Sequence, residues 1–148
     1  MFDSTGFIKV AEKLALWDDE ASRRTAISRA YYCVFHMACL LVERGGILLP
    51  NDGRAFRDVW EVLRRQGGAR VRAGIDGLEL LDRRREADYA REHVASCEET
   101  EEALRLAQCC GNNTYSRLGN GEMTYSAEPV SVIGFPQGLF CTGMRLFR

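Results

Sequence analysis

The sequence predicts an all-α protein, an up-and-down bundle of four to five helices followed by an irregular or short-β C-terminal tail. Apolar residues recur at spacings of three and four along successive segments, which is the period of an amphipathic helix. Glycine pairs and a proline-containing loop separate these segments from one another. The chain has 148 residues, of which 46 % are apolar and 28 % charged, and this fits one globular domain.

Two helices are predicted in the first third of the chain. The first begins near Ser4 or Thr5, either of which can cap a helix N-terminus. Its apolar residues repeat at helical spacing and are Phe7, Val10, Ala11, Leu14 and Trp17. The second helix spans about residues 21–44 and ends at a pair of glycines. Because it is apolar on nearly all sides, we expect it to lie at the centre of the bundle.

A third and a fourth helix follow the loop at residues 47–53, which a proline and a glycine interrupt. The apolar face of the third helix consists of Phe56, Val59, Trp60 and Leu63. A second glycine pair ends it, and the fourth helix has apolar positions at Ile75, Leu78 and Leu81. Its start stays open, because Gly74 and Gly77 would each cost about 1 kcal/mol in a helix interior.

The fifth helix starts at a capping box, and the character of the chain changes where it ends. Ser96 and Glu99 form the box. The expected buried face is Ala103, Leu106, Ala107 and Cys110. Residues 4–110 are therefore predicted as the helical bundle and residues 111–148 as a poorly specified glycine-rich tail with β-prone pieces at 131–133 and 139–141. A hairpin packed on the bundle and foreign sequence from a shifted reading frame are the alternatives for this tail.

The charge pattern excludes a protein whose whole surface is a polycation, because the net charge is only −1. Six arginines nevertheless lie between residues 54 and 72. They form either solvated helix faces or a strip that binds phosphates. Within this strip, Arg64 and Arg65 are candidate substrate-binding residues.

The sequence predicts no targeting segment, membrane span or metal site. No apolar run with a small-residue cleavage site follows the N-terminus, and the apolar run at residues 31–42 is too short to cross a bilayer. The six cysteines form no CxxC motif and only two histidines are present, so neither a metal nor a cofactor is assigned. We therefore expect a cytoplasmic protein without a membrane partner.

The clearest candidate chemistry is a pair of residues on the second helix. Arg29 and His36 are seven residues apart, which is two helical turns, so their side chains lie on one face. An imidazole and a guanidinium can move protons and stabilise a phosphorane during RNA cleavage. Tyr32 lies on the same side and could stack a base. The alternative is a core histidine together with an arginine that pairs with Asp88 or with Glu43 of a second copy.

Two motifs in this order resemble the HEPN domain family. The second helix carries Arg29-Ala30-Tyr31-Tyr32-Cys33-Val34-Phe35-His36-Met37-Ala38, which is similar to the family's R-x-Y-Y-x-x-F-H-x-A segment. Some fifty residues later, Arg84-Arg85-Glu86-Ala87-Asp88-Tyr89 is similar to its R-x-x-A-D-Y segment. The resemblance covers about residues 4–110.

The resemblance implies a bundle of four or five helices that forms a homodimer and that in prokaryotes is often paired with a small nucleotidyltransferase. Many members are metal-independent endoribonucleases, some of toxin type with an antitoxin partner, and in them an arginine and a histidine cleave RNA. Carried over, Arg29 and His36 are the catalytic residues, whereas Arg85, Asp88 and Tyr89 belong to a structural motif. The alternative function is that of a non-catalytic helical partner of a nucleotidyltransferase, or of a nucleotide-binding module.

Overall fold

The computed structural model describes residues 3–115, and every regular element among them is an α-helix. The helices are α1 (Thr5–Ala15), α2 (Glu20–Arg44), α3 (Ala55–Arg65), α4 (Ala69–Tyr89) and α5 (Cys97–Tyr115). The predicted all-α bundle is therefore confirmed for this part of the chain. Helix α5 continues past the predicted boundary at residue 111, and the β-prone pieces of the tail lie outside the described residues.

The helix starts include the predicted cap of α5 and an unpredicted cap of α2, whereas Ser4, a predicted cap of α1, makes no side-chain hydrogen bond to the helix start. The capping box forms as expected, because the Ser96 N–H donates to Glu99 Oε2 at 3.0 Å and the Glu99 N–H donates to Ser96 Oγ at 3.1 Å. Asp19 caps α2 by accepting from the Ser22 N–H at 2.8 Å. At α1 the carboxylate of Asp3 accepts from the Thr5 N–H at 2.9 Å.

Helix α2 lies at the centre of the bundle, as its apolar circumference predicts. It packs against each of the other four helices. Several of its inward positions are small, and Ala26, Ala30, Cys33 and Ala38 are fully buried. Small side chains let neighbouring helices approach closely, which explains how one helix can be covered on so many sides. Its length and composition alone would also suit a membrane span, but most of its apolar stretch is buried inside the bundle.

Helix α1 does not bury the face that its apolar spacing suggests. Ile8 and Ala11 are fully buried, whereas Val10 is 44 % exposed and Trp17, which lies just past the end of the helix, is 61 % exposed. Because α1 is short and packs mainly on α2, only a narrow stripe of it meets the core. Ile75 of α4 is also exposed. The apolar residues that α4 contributes to the core of the bundle include Leu80 and Leu81 instead.

The two glycines inside α4 allow α3 to pack closely against this helix. A Cβ at Gly77 would overlap the ring of Trp60, which is fully buried. A Cβ at Gly74 would lie 2.6 Å from the carbonyl oxygen of Trp60 and 2.9 Å from the backbone nitrogen of Arg64. The loss of helix stability that both glycines cause is therefore offset by the burial of Trp60 between α3 and α4.

Two arginines at the start of α2 hold the link between α4 and α5. Arg24 donates to the carbonyl oxygens of Ala87 at 2.9 Å and Ala90 at 3.0 Å, and also to that of His93. The neighbouring Arg23 donates from Nε to the carbonyl oxygen of Ala95 at 2.7 Å. The last carbonyls of α4 lack helical partners, so these contacts satisfy them and fix the end of the helix.

Replacing Gly74 with alanine should destabilise the protein, because the methyl group meets backbone atoms of α3 that cannot rotate away. We expect Gly74→Ala to lower the free energy of unfolding by about 1–3 kcal/mol in urea titrations followed by circular dichroism. Gly6→Ala is the matched control, since nothing lies within 4 Å of its Cβ position and alanine favours the helix. Equal stabilities of the two variants would contradict the close approach of α3 and α4.

Candidate functional site

Side chains from four helices converge on one side of α2 in what we call the arginine–aromatic cluster. Its members are Phe7 of α1, Arg29, Tyr32 and His36 of α2, Phe56 of α3, and Arg84 and Asp88 of α4. The His36 ring stacks with those of Phe7 and Tyr32, at centroid distances of 6.0 Å and 6.2 Å. The structure therefore brings together Arg29, Tyr32 and His36, as their spacing on one helix predicts.

Arg29 is a half-buried cation without a carboxylate partner in the described part of the chain. Its guanidinium carbon lies 5.2 Å from the ring centroid of Phe7 and 5.0 Å from that of Tyr32. Nη2 is 3.5 Å from Ser28 Oγ, and the buried Nε makes no hydrogen bond to residues 3–115. The rings stabilise the cation through their electron-rich faces, but much of its capacity to donate hydrogen bonds stays unused.

The ion pair of Arg29 with Asp88, one of the alternatives from the sequence, does not form because Asp88 is occupied by other groups. Its Oδ2 lies 2.9 Å from Nε of Arg84 and accepts from Ser28 Oγ at 3.1 Å. The Arg84 side chain is only 11 % exposed and that of Asp88 26 %. One carboxylate therefore serves one arginine, and the cluster keeps an excess positive charge.

Arg84 connects α4 to the α2 side of the cluster. Its Nη2 donates to the hydroxyl oxygen of Tyr32 at 2.5 Å, and its guanidinium carbon lies 5.1 Å from the centroid of that ring. It also lies over the rings of Phe56 and Tyr89, at 5.7 Å and 5.2 Å. This one side chain therefore sets the position of Tyr32 relative to α4.

His36 is half-buried, and the loss of solvent lowers the pKa of its imidazole below the usual 6.5. The ring is therefore neutral at neutral pH. A neutral imidazole has one nitrogen that can accept a proton, which is what a general base requires. The neutral state of His36 thus depends on its burial, which the sequence does not reveal.

The second motif contributes Arg84 rather than Arg85 to the cluster. Arg85 is exposed and lies 3.7 Å from Asp82, also at the surface. Sequence reasoning selected Arg85 and missed Arg84, although the spacing of Arg84 and Asp88 is that of a helical i, i+4 ion pair. That spacing is the signal that could have found it.

The two substrate-binding candidates from the predicted phosphate strip, Arg64 and Arg65, do not join the cluster. Arg64 and Arg65 are exposed, and Arg64 pairs with Glu61 at 3.2 Å. The Arg64 side chain passes Gly74, which lies ten residues before Arg84 on α4. Ten residues of helix span about 15 Å, so these arginines lie well away from Arg29 and His36.

Residues 3–115 bring together no group of three or more histidine, cysteine, aspartate and glutamate side chains that could hold a metal ion. The cysteines among them are free thiols. Burial raises the pKa of Cys33 and of Cys39 to about 12, so both thiols stay protonated at neutral pH. They act as small core residues, as their place in an apolar helix predicts.

No protein-family model matches the chain, and no curated protein or solved structure shows significant similarity to it. The likeness to the HEPN family thus depends on the two motifs in the sequence. What the structure adds is the spatial arrangement of those motifs, since Tyr32, which contacts Arg29 and His36 of the first motif, also contacts Arg84 of the second.

Removing the carboxylate of Asp88 should destabilise the protein, because the nearly buried cation of Arg84 loses its counter-ion. We expect Asp88→Ala to lower the free energy of unfolding by about 1–3 kcal/mol, measured by chemical denaturation. Asp82→Ala removes the partner of the exposed Arg85 and should leave stability nearly unchanged. A comparable loss in both variants would show that the Arg84–Asp88 pair has no special role.

Proposed function

We propose that this protein is a HEPN-domain endoribonuclease of toxin type, which works as a cytoplasmic homodimer and cleaves RNA without a metal ion. The observation that carries the proposal is the uncompensated charge of Arg29, which contacts the same two rings, Phe7 and Tyr32, as the neutral His36. A half-buried guanidinium without a carboxylate is a site for an anion, and a phosphodiester is an anion that matches its donors. The order of the two motifs supports the family, and their convergence in space supports a shared site.

The chemistry divides between the two side chains. His36 takes the proton from the ribose 2′-hydroxyl, whose oxygen then attacks the adjacent phosphorus. Arg29 donates to the non-bridging oxygens, which carry the growing negative charge of the phosphorane. The bond from phosphorus to the 5′-oxygen breaks, leaving a 2′,3′-cyclic phosphate on one fragment and a 5′-hydroxyl on the other.

The leaving 5′-oxygen needs a proton from a second group. In the proposed homodimer, two α2 helices face each other and each contributes an Arg29 and His36 pair to one cleft. The protonated imidazole of one copy can then act as the acid while the neutral imidazole of the other acts as the base. This division of roles is the reason that we propose a homodimer rather than a single active chain.

A non-catalytic role as the helical partner of a nucleotidyltransferase or antitoxin is the second candidate. The observation that favours it is the exposed apolar pair directly after α1, where Leu16 and Trp17 are each 61 % exposed. Large exposed apolar side chains near one another are typical of protein-binding surfaces. This role needs no cleavage of RNA, so a nuclease assay separates the two candidates.

Alanine at either catalytic position should abolish the nuclease while leaving the fold intact. With purified protein in EDTA, we expect wild type to cleave RNA, and Arg29→Ala and His36→Ala to reduce the rate by at least about 100-fold. Arg85→Ala is the control, because it removes an exposed arginine outside the cluster. Thermal melts by circular dichroism verify folding, and undiminished cleavage by His36→Ala would refute the mechanism.

The cleavage rate should fall at acidic pH. His36 must be neutral to act as a base, and burial places its pKa below 6.5. Because the dimer mechanism also needs one protonated imidazole as the acid, the rate should rise with pH, pass through a maximum below pH 6.5 and fall again as the second imidazole loses its proton. The measurement is the initial rate on a fixed RNA between about pH 4.5 and 8; a maximum above pH 6.5 would contradict the assignment.

A further inference from the structure

We propose that Tyr89 is a stacking platform for an unpaired nucleobase of the RNA substrate. This inference rests on the proposed function and assigns a further substrate-binding residue to that site. The structure offers three arguments, namely the exposure of the ring, its connection to the arginine–aromatic cluster and the rigidity of the backbone beneath it.

Tyr89 is a large aromatic side chain that the fold leaves in solvent. It is 69 % exposed, and no aromatic ring among residues 3–115 packs against it. Its partner is Arg84, whose guanidinium lies over the ring at 5.2 Å and donates to the hydroxyl oxygen at 3.4 Å. A ring that is supported by a cation and otherwise free presents a π-surface on which a base can stack.

The platform is continuous with the proposed catalytic residues. The guanidinium that supports Tyr89 also lies 5.1 Å from the centroid of Tyr32, and Arg29 lies 5.0 Å from that same centroid. Arg29, Tyr32, Arg84 and Tyr89 thus contact one another in turn, from the half-buried Arg29 to the exposed Tyr89. A strand with its phosphate at Arg29 would extend across the cluster toward Tyr89, where one of its bases stacks.

The backbone around Tyr89 is held in place although the side chain is exposed. Arg24 donates to the carbonyl oxygens of Ala87 and Ala90, which lie on either side of it in sequence. The backbone from which the ring extends is therefore held in place before any ligand binds, and the contact with Arg84 supports the ring itself. A preorganised aromatic group loses little conformational entropy on binding, which raises the affinity that stacking provides.

A stacking platform selects against duplex RNA. In an A-form helix each base is already paired and stacked between its neighbours, so none can lie on a protein ring unless it leaves the helix. Unpaired loops and single strands present free base faces at no such cost. The combination of a phosphate site with one exposed aromatic ring therefore fits a single strand.

The test is direct binding of a non-cleavable RNA, so that it does not depend on catalysis. The probe is a fluorescent 2′-O-methyl oligonucleotide, used single-stranded and annealed to its complement, and the readout is fluorescence anisotropy. We expect Tyr89→Ala to weaken single-strand binding by about 10- to 100-fold. Tyr89→Phe, which keeps the ring, should bind like wild type. Trp17→Ala, which removes a similarly exposed ring just after α1, should also do so.

Each other outcome overturns a defined part of the inference. Wild-type affinity of Tyr89→Ala for the single strand would refute the platform, even if the enzyme cleaves RNA. An equal loss in Tyr89→Phe and Tyr89→Ala would assign the effect to the hydroxyl group rather than to the ring. Tighter binding of wild type to the duplex would refute the single-strand preference. Absence of RNA binding by wild type would refute the platform and the proposed function together.

Discussion

The ion pair between Arg84 and Asp88 is the interaction on which the proposed site depends. It joins α4 to α2, since Asp88 also accepts from Ser28 and Arg84 donates to the hydroxyl of Tyr32. A nearly buried arginine needs a counter-ion, and Asp88 satisfies that need. Because this carboxylate is engaged, Arg29 is left with its charge uncompensated among residues 3–115. Arg29 is thus available for the chemistry that we assign to it because Asp88 pairs with Arg84 instead.

The central position of α2 explains why the residues of the site are half-buried. The other four helices cover most of this helix, and the polar members of the cluster occupy the side where that cover is incomplete. Full burial would make an unpaired Arg29 too costly, whereas full exposure would leave His36 with an ordinary pKa. Half-burial between aromatic rings permits both an available cation and a neutral imidazole.

Much of the fold could be predicted from the sequence, because its signals are local. The capping box at Ser96, the glycine pairs and the apolar circumference of α2 each act within one helix. The rest depends on tertiary contacts. The role of the α4 glycines is clear only once Trp60 packs against them. Trp17 is exposed because the end of α1, which it follows, meets few neighbours. Within the site, the shared face of Arg29 and His36 follows from helical spacing, whereas the choice of Arg84 over its neighbour depends on which one faces α2.

The two arginines at the start of α2 also decide where this chain can accept extra sequence. The α4–α5 link is short and polar, which ordinarily marks a tolerant insertion point. Here the carbonyls of Ala87, Ala90 and Ala95 are bound by Arg24 or Arg23, so lengthening the link would detach the end of α4. By contrast, the loop between α2 and α3 exposes Leu48 almost completely, and nothing lies near the Cβ position of Gly53. A tag or a fused domain therefore belongs in that loop, where it leaves the bundle and its site undisturbed.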